Sequence, residues 1–414
     1  MNLQRVLHWH SLLSIAVLIA VIAVIVGGVW LTYTHFTSRY AGGNDFFIRW
    51  MAGRAFLLEG LNPYSDVVTE RVQIGMHGRL AAPQEDQGRF VYPLYILLFY
   101  WPLCFVGDYA LARAIWMWCL LGVTVMASLI SMRVVAWHPK PGLWAGTMLW
   151  LVLIYPNFRA IMLGQFSLLV WLTLAAALWA MQRGRDGWAG CLLALTTLKP
   201  PLVYLAIPWL LLWTAGQRRW RLWWGFGLSM ALLMFGTMAL VPSWPLDFAH
   251  QVLGYSSYAV YGSLTWMIVR YWLGWGAAVE IAAMVGLAAL VLVLGRRLWR
   301  GNWTQMMWML GLVLLVTNCF TPRIATTNYV TLMPWVLWSF REMQHAWGRG
   351  GRWVIIGGQL VSLVGLWWLF LATIEGNFET APAYFPFPVM MCLLLAWLGR
   401  RLDVWHLGVS GGKS

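Results

Sequence analysis

Residues 11–31, SLLSIAVLIAVIAVIVGGVWL, form an unbroken apolar run that decides the fold class. An apolar stretch of about 18 residues or more is long enough to cross the hydrocarbon core of a bilayer as an α-helix. Arg5 precedes the run, and no clear small-residue cleavage site follows it. We therefore interpret the run as a retained first membrane span with its N-terminus in the cytoplasm, rather than as a secretory signal peptide.

The rest of the chain has the same apolar character. Of its 414 residues, 61% are hydrophobic and only 10% are charged, whereas about 25% of the residues in soluble domains are charged. This composition excludes a soluble globular protein, a disordered chain and a disulfide-stabilised scaffold. The sequence predicts an all-α, polytopic membrane protein with about 12 transmembrane helices, in a single integral-membrane domain over residues 1–414. The further apolar runs lie near residues 109–132, 143–155, 164–181, 187–198, 201–214, 222–241, 276–294, 303–320, 329–340, 353–373 and 386–399.

The basic residues indicate the orientation of these spans. If about 12 spans start from a cytoplasmic N-terminus, the whole formal charge excess of +14 falls in the segments predicted to be cytoplasmic. Positive charge accumulates on the cytoplasmic side of membrane proteins. The distribution predicts a plasma-membrane protein with both termini in the cytoplasm, and it explains the high isoelectric point without a nucleic acid partner.

The cysteines give no indication of a disulfide framework or a metal site. They occur singly within apolar runs, and none lies near a His or a carboxylate at the spacing of metal ligands. We therefore expect packed thiols, and neither a metal ion nor another cofactor. The cysteines are Cys104, Cys119, Cys191, Cys319 and Cys392.

The longest stretch between the confident spans, residues 34–108, is predicted to be the first extracytoplasmic loop, with two juxtamembrane helices. The turn sequence Gly42-Gly43-Asn44-Asp45 leads into residues 46–59, where apolar side chains recur near helical spacing. We expect a short amphipathic helix that lies in the membrane interface and ends at Gly60. A second apolar segment, residues 91–106, is short for a span, and we expect a second interfacial helix there.

Short motifs along the chain occur in an order that is similar to that of a known enzyme family. Asp45 and its aromatic-rich helix are followed by Glu59-Gly60-Leu61-Asn62-Pro63-Tyr64 and by Phe90-Val91-Tyr92-Pro93-Leu94. This arrangement resembles the start of glycosyltransferase family 87, the polyprenol-phosphate-mannose-dependent mannosyltransferases of the multispanning GT-C fold. The later motifs that fit the same pattern are Gly164-Gln165, Thr197-Leu198-Lys199-Pro200, and Thr321-Pro322 with Asn328-Tyr329.

The resemblance implies a membrane glycosyltransferase that takes a hexose, expected to be mannose, from a polyprenyl-phosphate donor in the membrane lipid. The acceptor would be a glycolipid or a cell-envelope glycan at the outer face. An acidic residue of the first outer loop would act as the base in an inverting transfer, and Asp45 matches that position. No D-x-D motif is present, which argues against a metal-clamped nucleotide-sugar donor.

The charges that develop in such a reaction suggest roles for the candidate residues. A base must take the proton of the acceptor hydroxyl, and the departing lipid phosphate gathers negative charge that cations stabilise. Asp45 is the candidate catalytic base, and Lys199 and Arg323 are the candidate phosphate ligands. The other candidate substrate-binding residues are Arg49, Arg54, Tyr64 and Gln165.

These residues also have purely structural interpretations. Asp45 could be only the N-cap of its helix, paired with Arg49 one turn later. Lys199 could simply extend its ammonium group toward the membrane interface. Tyr64 and Gln165 are of types that more often pack or cap than bind ligands.

Two other classes of membrane protein remain open as alternatives. A secondary transporter would place charged groups near the middle of the membrane, and an O-antigen polymerase or ligase would carry its large outer loop late in the chain.

A charged group inside a span is a functional candidate by default, and Glu280 lies about a turn inside one. Its plainer interpretation is an ion pair with Arg270 or Arg323.

Overall fold

The computed structural model describes residues 3–40, 42–82, 85–254, 262–321, 323–376 and 379–404, with side chains from Ser14 onward. The described residues form helices joined by turns and contain no β-strand. The all-α prediction is therefore confirmed. Pro322, one of the residues that carry the family resemblance, lies outside the described residues.

α-Helices make up most of the described chain, and short 3-10 and π-helical turns connect several of them. In chain order the α-helices are α1 (Leu3–Thr32), α2 (Asn44–Glu59), α3 (Asp66–His77), α4 (Tyr109–Val134), α5 (Pro141–Leu153), α6 (Tyr155–Leu163), α7 (Ser167–Gln182), α8 (Asp186–Leu195), α9 (Ala206–Gly216), α10 (Trp220–Met238), α11 (Trp244–Gly254), α12 (Leu264–Trp266), α13 (Ala277–Leu298), α14 (Trp303–Phe320), α15 (Met333–Thr373), α16 (Ala381–Tyr384) and α17 (Pro386–Arg401). The 3-10 helices cover Leu94–Phe99, Trp101–Phe105, Thr196–Leu198, Pro200–Leu202 and Thr326–Leu332, and the π-helical turns cover Tyr33–Thr37 and Met267–Trp272.

Six helical segments within the described ranges are long and apolar enough to cross a membrane, in agreement with a membrane protein. The pair α5 and α6, bent by 50°, makes a seventh if the two helices count as one span. The expected count of about 12 spans is not confirmed, because two of the apolar runs form α8 and α9, which are only 10 and 11 residues long. Helices of that length reach about 15 Å, half the thickness of the hydrocarbon core.

A sharp bend divides α15 into two helices. Gly348 has φ 51° and ψ −116°, outside the helical range. In a straight helix, residues eight positions apart are separated by about 12 Å along the axis. Here a Cβ placed on Gly351 would lie only 2.3 Å from the carbonyl oxygen of Met343, so the chain folds back sharply between them. The two helices correspond to the separate apolar runs predicted at residues 329–340 and 353–373.

α2 forms where the sequence predicted a helix within residues 34–108, the predicted first extracytoplasmic loop, which we call the first outer segment. It begins one residue before Asp45, and Gly60 follows its last residue with φ 71°. Phe46 and Trp50 are buried along it, as is the guanidinium-bearing Arg49. The face of the helix that carries these three residues is therefore packed into the protein, so the helix does not simply lie on the surface.

Residues 91–106 differ from the single interfacial helix that we expected, since they form two 3-10 helices. Pro93 and Pro102 have no N–H to donate to a helix, and Tyr100, between the two turns, has φ −135° and ψ 6°. The sequence-based interpretation also missed α3. Its N-cap, Ser65, accepts a hydrogen bond from the backbone N–H of Val68, so a search for capping residues would have found its start.

A buried aromatic cluster holds α2 against α4 and the start of α7. The ring of Phe46 stacks on Trp116 with centroids 5.6 Å apart, and Trp116 lies 5.3 Å from Phe166. The indole N–H of Trp116 donates a hydrogen bond to the carbonyl oxygen of Gly164 at 3.1 Å. The cluster therefore fixes the turn between α6 and α7 beside the beginning of α2.

Gly164→Ala should destabilise the protein more than Gly60→Ala. Both glycines have positive φ, 73° and 71°, which costs an alanine roughly 1–2 kcal/mol. A Cβ at Gly164 would also lie 2.6 Å from the Cβ of Phe46, whereas nothing lies within 4 Å of one at Gly60. Overpacking of this kind adds about 1–3 kcal/mol. Unfolding midpoints of the two variants in the same detergent test this expectation, and equal midpoints would contradict the described packing.

Candidate functional site

The backbone just before Asp45 is held by two side chains of α4. The hydroxyl of Tyr109 donates to the carbonyl oxygens of Gly42 and Gly43, at 3.0 and 2.8 Å. The guanidinium of Arg113 donates to the carbonyl oxygen of Tyr40 at 3.0 Å and is itself buried. These contacts set the direction in which α2 begins and therefore the position of the Asp45 carboxylate.

The capping interpretation of Asp45 is wrong. The N-cap of α2 is Gly43, with φ 70°, and no side chain caps the first turn. Arg49 does contact Asp45 one turn later, but its Nε donates to the backbone carbonyl oxygen at 2.7 Å. The described contacts of the Asp45 carboxylate therefore go elsewhere.

Four polar side chains from separate parts of the chain form one continuous hydrogen-bonded row. Nε2 of Gln165 donates to Oδ2 of Asp45 at 2.7 Å. Nζ of Lys199 donates to Oε1 of Gln165 and to Oδ1 of Asn328, both at 2.8 Å. The carboxylate and the ammonium group are thus joined through one amide, and the row is half-buried at Asp45 and buried at Gln165 and Asn328.

Breaks in the helices place Gln165 and Lys199 in this row. Gln165 follows the left-handed turn at Gly164, between α6 and α7. Lys199 lies between two short 3-10 helices, with φ −132° and ψ 79°. This break falls between the apolar runs predicted at residues 187–198 and 201–214. The hydroxyl of Tyr95 bonds to the side chain of Thr197 at 2.9 Å, which ties this break to the first outer segment.

A second buried polar cluster supports the segment that carries Asn328. The carboxylate of Glu379 forms an ion pair with Nε of Arg159 at 2.9 Å and accepts from the hydroxyl of Tyr155 at 2.6 Å. It also accepts from both the backbone N–H and the hydroxyl of Thr326. Because Thr326 starts the 3-10 helix of Asn328, the Glu379 carboxylate fixes that helix against α6.

Arg49 occupies an aromatic slot beside the row. Its guanidinium carbon lies 4.6 Å from the ring centroid of Tyr92 and 4.9 Å from that of Phe166. The side chain is fully buried, and neither terminal nitrogen has a hydrogen-bond partner among the described residues. A buried cation with unused donors is well suited to stabilise negative charge nearby.

Arg323 also lies near the row, whereas Arg54 and Tyr64 bind backbone carbonyls. Arg323 acts electrostatically on the Lys199 ammonium, and it pairs with Asp86 at 3.1 Å. Arg54 donates to the carbonyl oxygens of Cys104 and Val106, at 2.7 and 3.2 Å. The Tyr64 hydroxyl donates to the carbonyl oxygen of Tyr92 at 2.5 Å. The described contact of Tyr64 therefore agrees with its structural interpretation, and Arg54 likewise holds the backbone.

The electrostatics of the row centre on Lys199. The residue as a whole is half-buried, but protein encloses its ammonium group, and this burial lowers the pKa of Lys199 to about 7. The negative charge of Asp45 acts in the opposite direction, whereas the positive charges of Arg49 and Arg323 lower the pKa further. Asp45, Arg49 and Arg323 thus all act electrostatically on the Lys199 ammonium.

The sequence identified Asp45, Gln165 and Lys199 of this row, with Arg49 and Arg323 beside it, but it assigned no role to Asn328, Glu379 or Asp86. Asn328 was noted only as part of a motif, and Glu379 and Asp86 gave no local pattern that indicates their long-range partners.

The ion-pair interpretation of Glu280 is confirmed, since its carboxylate lies 3.7 Å from Nη1 of Arg270. Across the part of the chain that the structure describes, no group of three or more His, Cys, Asp or Glu side chains could hold a metal ion.

Comparison with known proteins identifies the family. Residues 90–322, more than half of the chain, match glycosyltransferase family 87. The chain belongs to glycosyltransferase family 87. This assignment confirms the resemblance drawn from the motifs and indicates a glycosyltransferase. No curated protein and no solved structure matches the chain.

The matched region covers part of the site of this family 87 glycosyltransferase. Gln165 and Lys199 lie inside it, whereas Asp45, Arg323 and Asn328 lie outside. The hydrogen bonds of Gln165 and Lys199 therefore connect the matched region to the segments that flank it on both sides.

Glu379→Gln should destabilise this glycosyltransferase far more than Glu59→Gln. Neutralising Glu379 leaves the mostly buried Arg159 without its ion-pair partner, a loss of about 3–5 kcal/mol for a buried pair. Glu59 pairs with Arg71 at the exposed end of α2, where such a pair contributes at most about 1 kcal/mol. Unfolding of both variants in detergent measures the difference, and a Glu379→Gln protein as stable as its parent would contradict the supporting role.

Proposed function

We propose that this glycosyltransferase moves a hexose from a polyprenyl-phosphate donor to a glycolipid or cell-envelope glycan, and that the hexose is mannose. The transfer takes place at the outer face of the plasma membrane and inverts the anomeric centre. The observation that carries the proposal is the row of Asp45, Gln165, Lys199 and Asn328, with Arg49 and Arg323 beside it. The row joins the Asp45 carboxylate to the Lys199 ammonium, on which Arg49 and Arg323 also act, and this charge pattern supports the proposed reaction.

Asp45 is the proposed catalytic base. Its carboxylate takes the proton of the acceptor hydroxyl as the hydroxyl oxygen forms a bond to the anomeric carbon of the donor sugar. In the same step the bond between that carbon and the phosphate oxygen breaks, and the bonding electrons leave with the lipid phosphate. The amide of Gln165 holds the carboxylate in place through the bond to Oδ2 and leaves Oδ1 available for the proton.

The cations are proposed to stabilise the leaving group. A lipid phosphate monoester gains charge as the glycosidic bond breaks, and preorganised cations lower the energy of that transition state. The ammonium of Lys199 and the guanidinium of Arg323 are the proposed phosphate ligands, and Arg49 adds positive charge from its aromatic slot. Asn328 orients the Lys199 ammonium through the bond to its Oδ1.

The membrane setting supports a lipid-borne donor. Six apolar helical segments in the described ranges are long enough to cross a bilayer, and the positive-inside pattern of the sequence assigns both termini to the cytoplasm. That orientation assigns the first outer segment, with Asp45, to the extracytoplasmic side. Membership of a glycosyltransferase family weighs against the secondary transporter and the O-antigen polymerase or ligase.

Asp45→Asn should lower the rate of sugar transfer by about 100-fold or more, because the amide cannot accept the acceptor proton. Protein in lipid nanodiscs is given radiolabelled polyprenyl-phosphate-mannose and a membrane lipid extract as acceptor, and labelled product is counted. Glu59→Gln, which removes a carboxylate from the other end of α2, should transfer sugar at the parental rate. Transfer by Asp45→Asn at the parental rate would show that the base is misassigned.

Donor affinity should fall as the pH rises through the pKa of Lys199. With a pKa of about 7, the ammonium form predominates at pH 6 and is reduced about tenfold at pH 8. A short-chain polyprenyl-phosphate-2-fluoromannose, whose fluorine slows transfer, keeps its phosphodiester charge over this range. Its dissociation constant should be about tenfold higher at pH 8 than at pH 6. Lys199→Arg, which stays charged, should remove this dependence, and an equal dependence in both proteins would contradict the assignment.

A further inference from the structure

A polar cavity of about 440 Å³ lies beside the candidate site, between the first outer segment and α11. This volume is typical of small-molecule sites, which enclose roughly 300–1,000 Å³. None of its lining side chains belongs to the row of Asp45, Gln165, Lys199 and Asn328. The polar residues of its lining include Tyr64, Asp66, Gln87, Arg89, Asp247 and His250.

Hydrogen bonds between the two walls give the cavity a defined shape. Nη1 of Arg89 donates to Oε1 of Gln251 on α11 at 3.2 Å. Nδ2 of Asn62 donates to Oδ2 of Asp247 at 2.9 Å. The first outer segment and α11 are thus held together from both sides of the cavity, although they lie far apart in sequence.

The chemistry of the lining favours a neutral polyhydroxyl ligand. Two carboxylates, those of Asp66 and Asp247, face one guanidinium, that of Arg89, and the imidazole of His250. A lipid phosphate would meet the two carboxylates, which repel it. Sugar hydroxyls can donate to carboxylates, such as those of Asp66 and Asp247, and accept from guanidinium N–H groups, such as those of Arg89.

Side-chain contacts connect two parts of the cavity lining to the candidate site. The hydroxyl of Tyr64 bonds to the carbonyl oxygen of Tyr92, and the ring of Tyr92 lies over the guanidinium of Arg49. On the other side Asp86, the ion-pair partner of Arg323, immediately precedes Gln87 in the chain. Tyr64 and Gln87 in the cavity lining are therefore linked to Arg49 and Arg323 of the candidate site through one intervening residue each.

We infer that this cavity binds a non-reacting, neutral sugar unit of the acceptor, and so selects a glycan-bearing acceptor. The assignment of the ligand to the acceptor rests on the proposed function. The binding of a neutral sugar in the cavity rests only on its lining. A sugar held there lets the neighbouring unit of the same chain present its hydroxyl to Asp45, whereas the lipid phosphate stays with the cations.

Binding without donor tests the inference separately from catalysis. Protein in nanodiscs is titrated with linear neutral trisaccharides of mannose, glucose, galactose and arabinose, and bound sugar is detected by saturation-transfer NMR. At least one trisaccharide should bind saturably to the parent. Asp66→Ala and His250→Ala should each weaken that binding about fivefold, the effect of losing one hydrogen bond. Both side chains are exposed, so neither change should disturb folding.

Matched variants define the result that would overturn the inference. Glu70→Ala removes a carboxylate one turn after Asp66 on α3, outside the cavity lining, and should bind the trisaccharide as the parent does. The titration contains no donor and measures no transfer, so a failed base assignment leaves this test intact. The inference is overturned if no trisaccharide binds the parent, or if Asp66→Ala and His250→Ala bind as tightly as Glu70→Ala.

Discussion

The side-chain amide of Gln165 connects the carboxylate of Asp45 to the ammonium of Lys199, and the geometry of the rest of the site depends on this bridge. Charged groups lose their hydration when protein encloses them, so they persist only where hydrogen bonds and opposite charges replace the water. The amide can satisfy both groups at once, since its N–H donates to the carboxylate and its oxygen accepts from the ammonium. The bridge therefore requires the turn after α6, the start of α2 and the break after α8 to meet at one point.

The surrounding fold provides that meeting point through rigid contacts on each side. Gly164 admits the close approach of Phe46 beneath the turn, and Tyr109 fixes the backbone ahead of Asp45. On the far side, the Glu379 carboxylate holds the 3-10 helix that carries Asn328. The amide keeps the Asp45 carboxylate and the Lys199 ammonium apart. In the proposed transfer the carboxylate accepts the proton and the ammonium binds the leaving phosphate.

The sequence predicted features that depend on local composition and missed those that depend on distant partners. The apolar runs, the helix ending before Gly60 and the break at Lys199 follow from hydropathy, turn residues and proline, which act over a few residues. Residues 91–106 form two 3-10 helices instead of the expected single helix because their prolines cannot donate helical hydrogen bonds. The apolar runs that form α8 and α9 were predicted as spans, but these helices are too short to cross the membrane. The partners of Glu379 and Asn328 were not predictable, since a single sequence carries no information on which distant side chains meet.

The most direct measurement of the central claim is an electron cryomicroscopy structure of the protein in a lipid nanodisc with polyprenyl-phosphate-2-fluoromannose bound. We expect the lipid phosphate to contact the Lys199 ammonium and the Arg323 guanidinium at about 3 Å, the distance of charged hydrogen bonds. We also expect the Asp45 carboxylate to face the anomeric carbon from the side opposite the phosphate. A phosphate bound away from both cations, or an Asp45 carboxylate on the phosphate side of the sugar, would contradict the proposed roles.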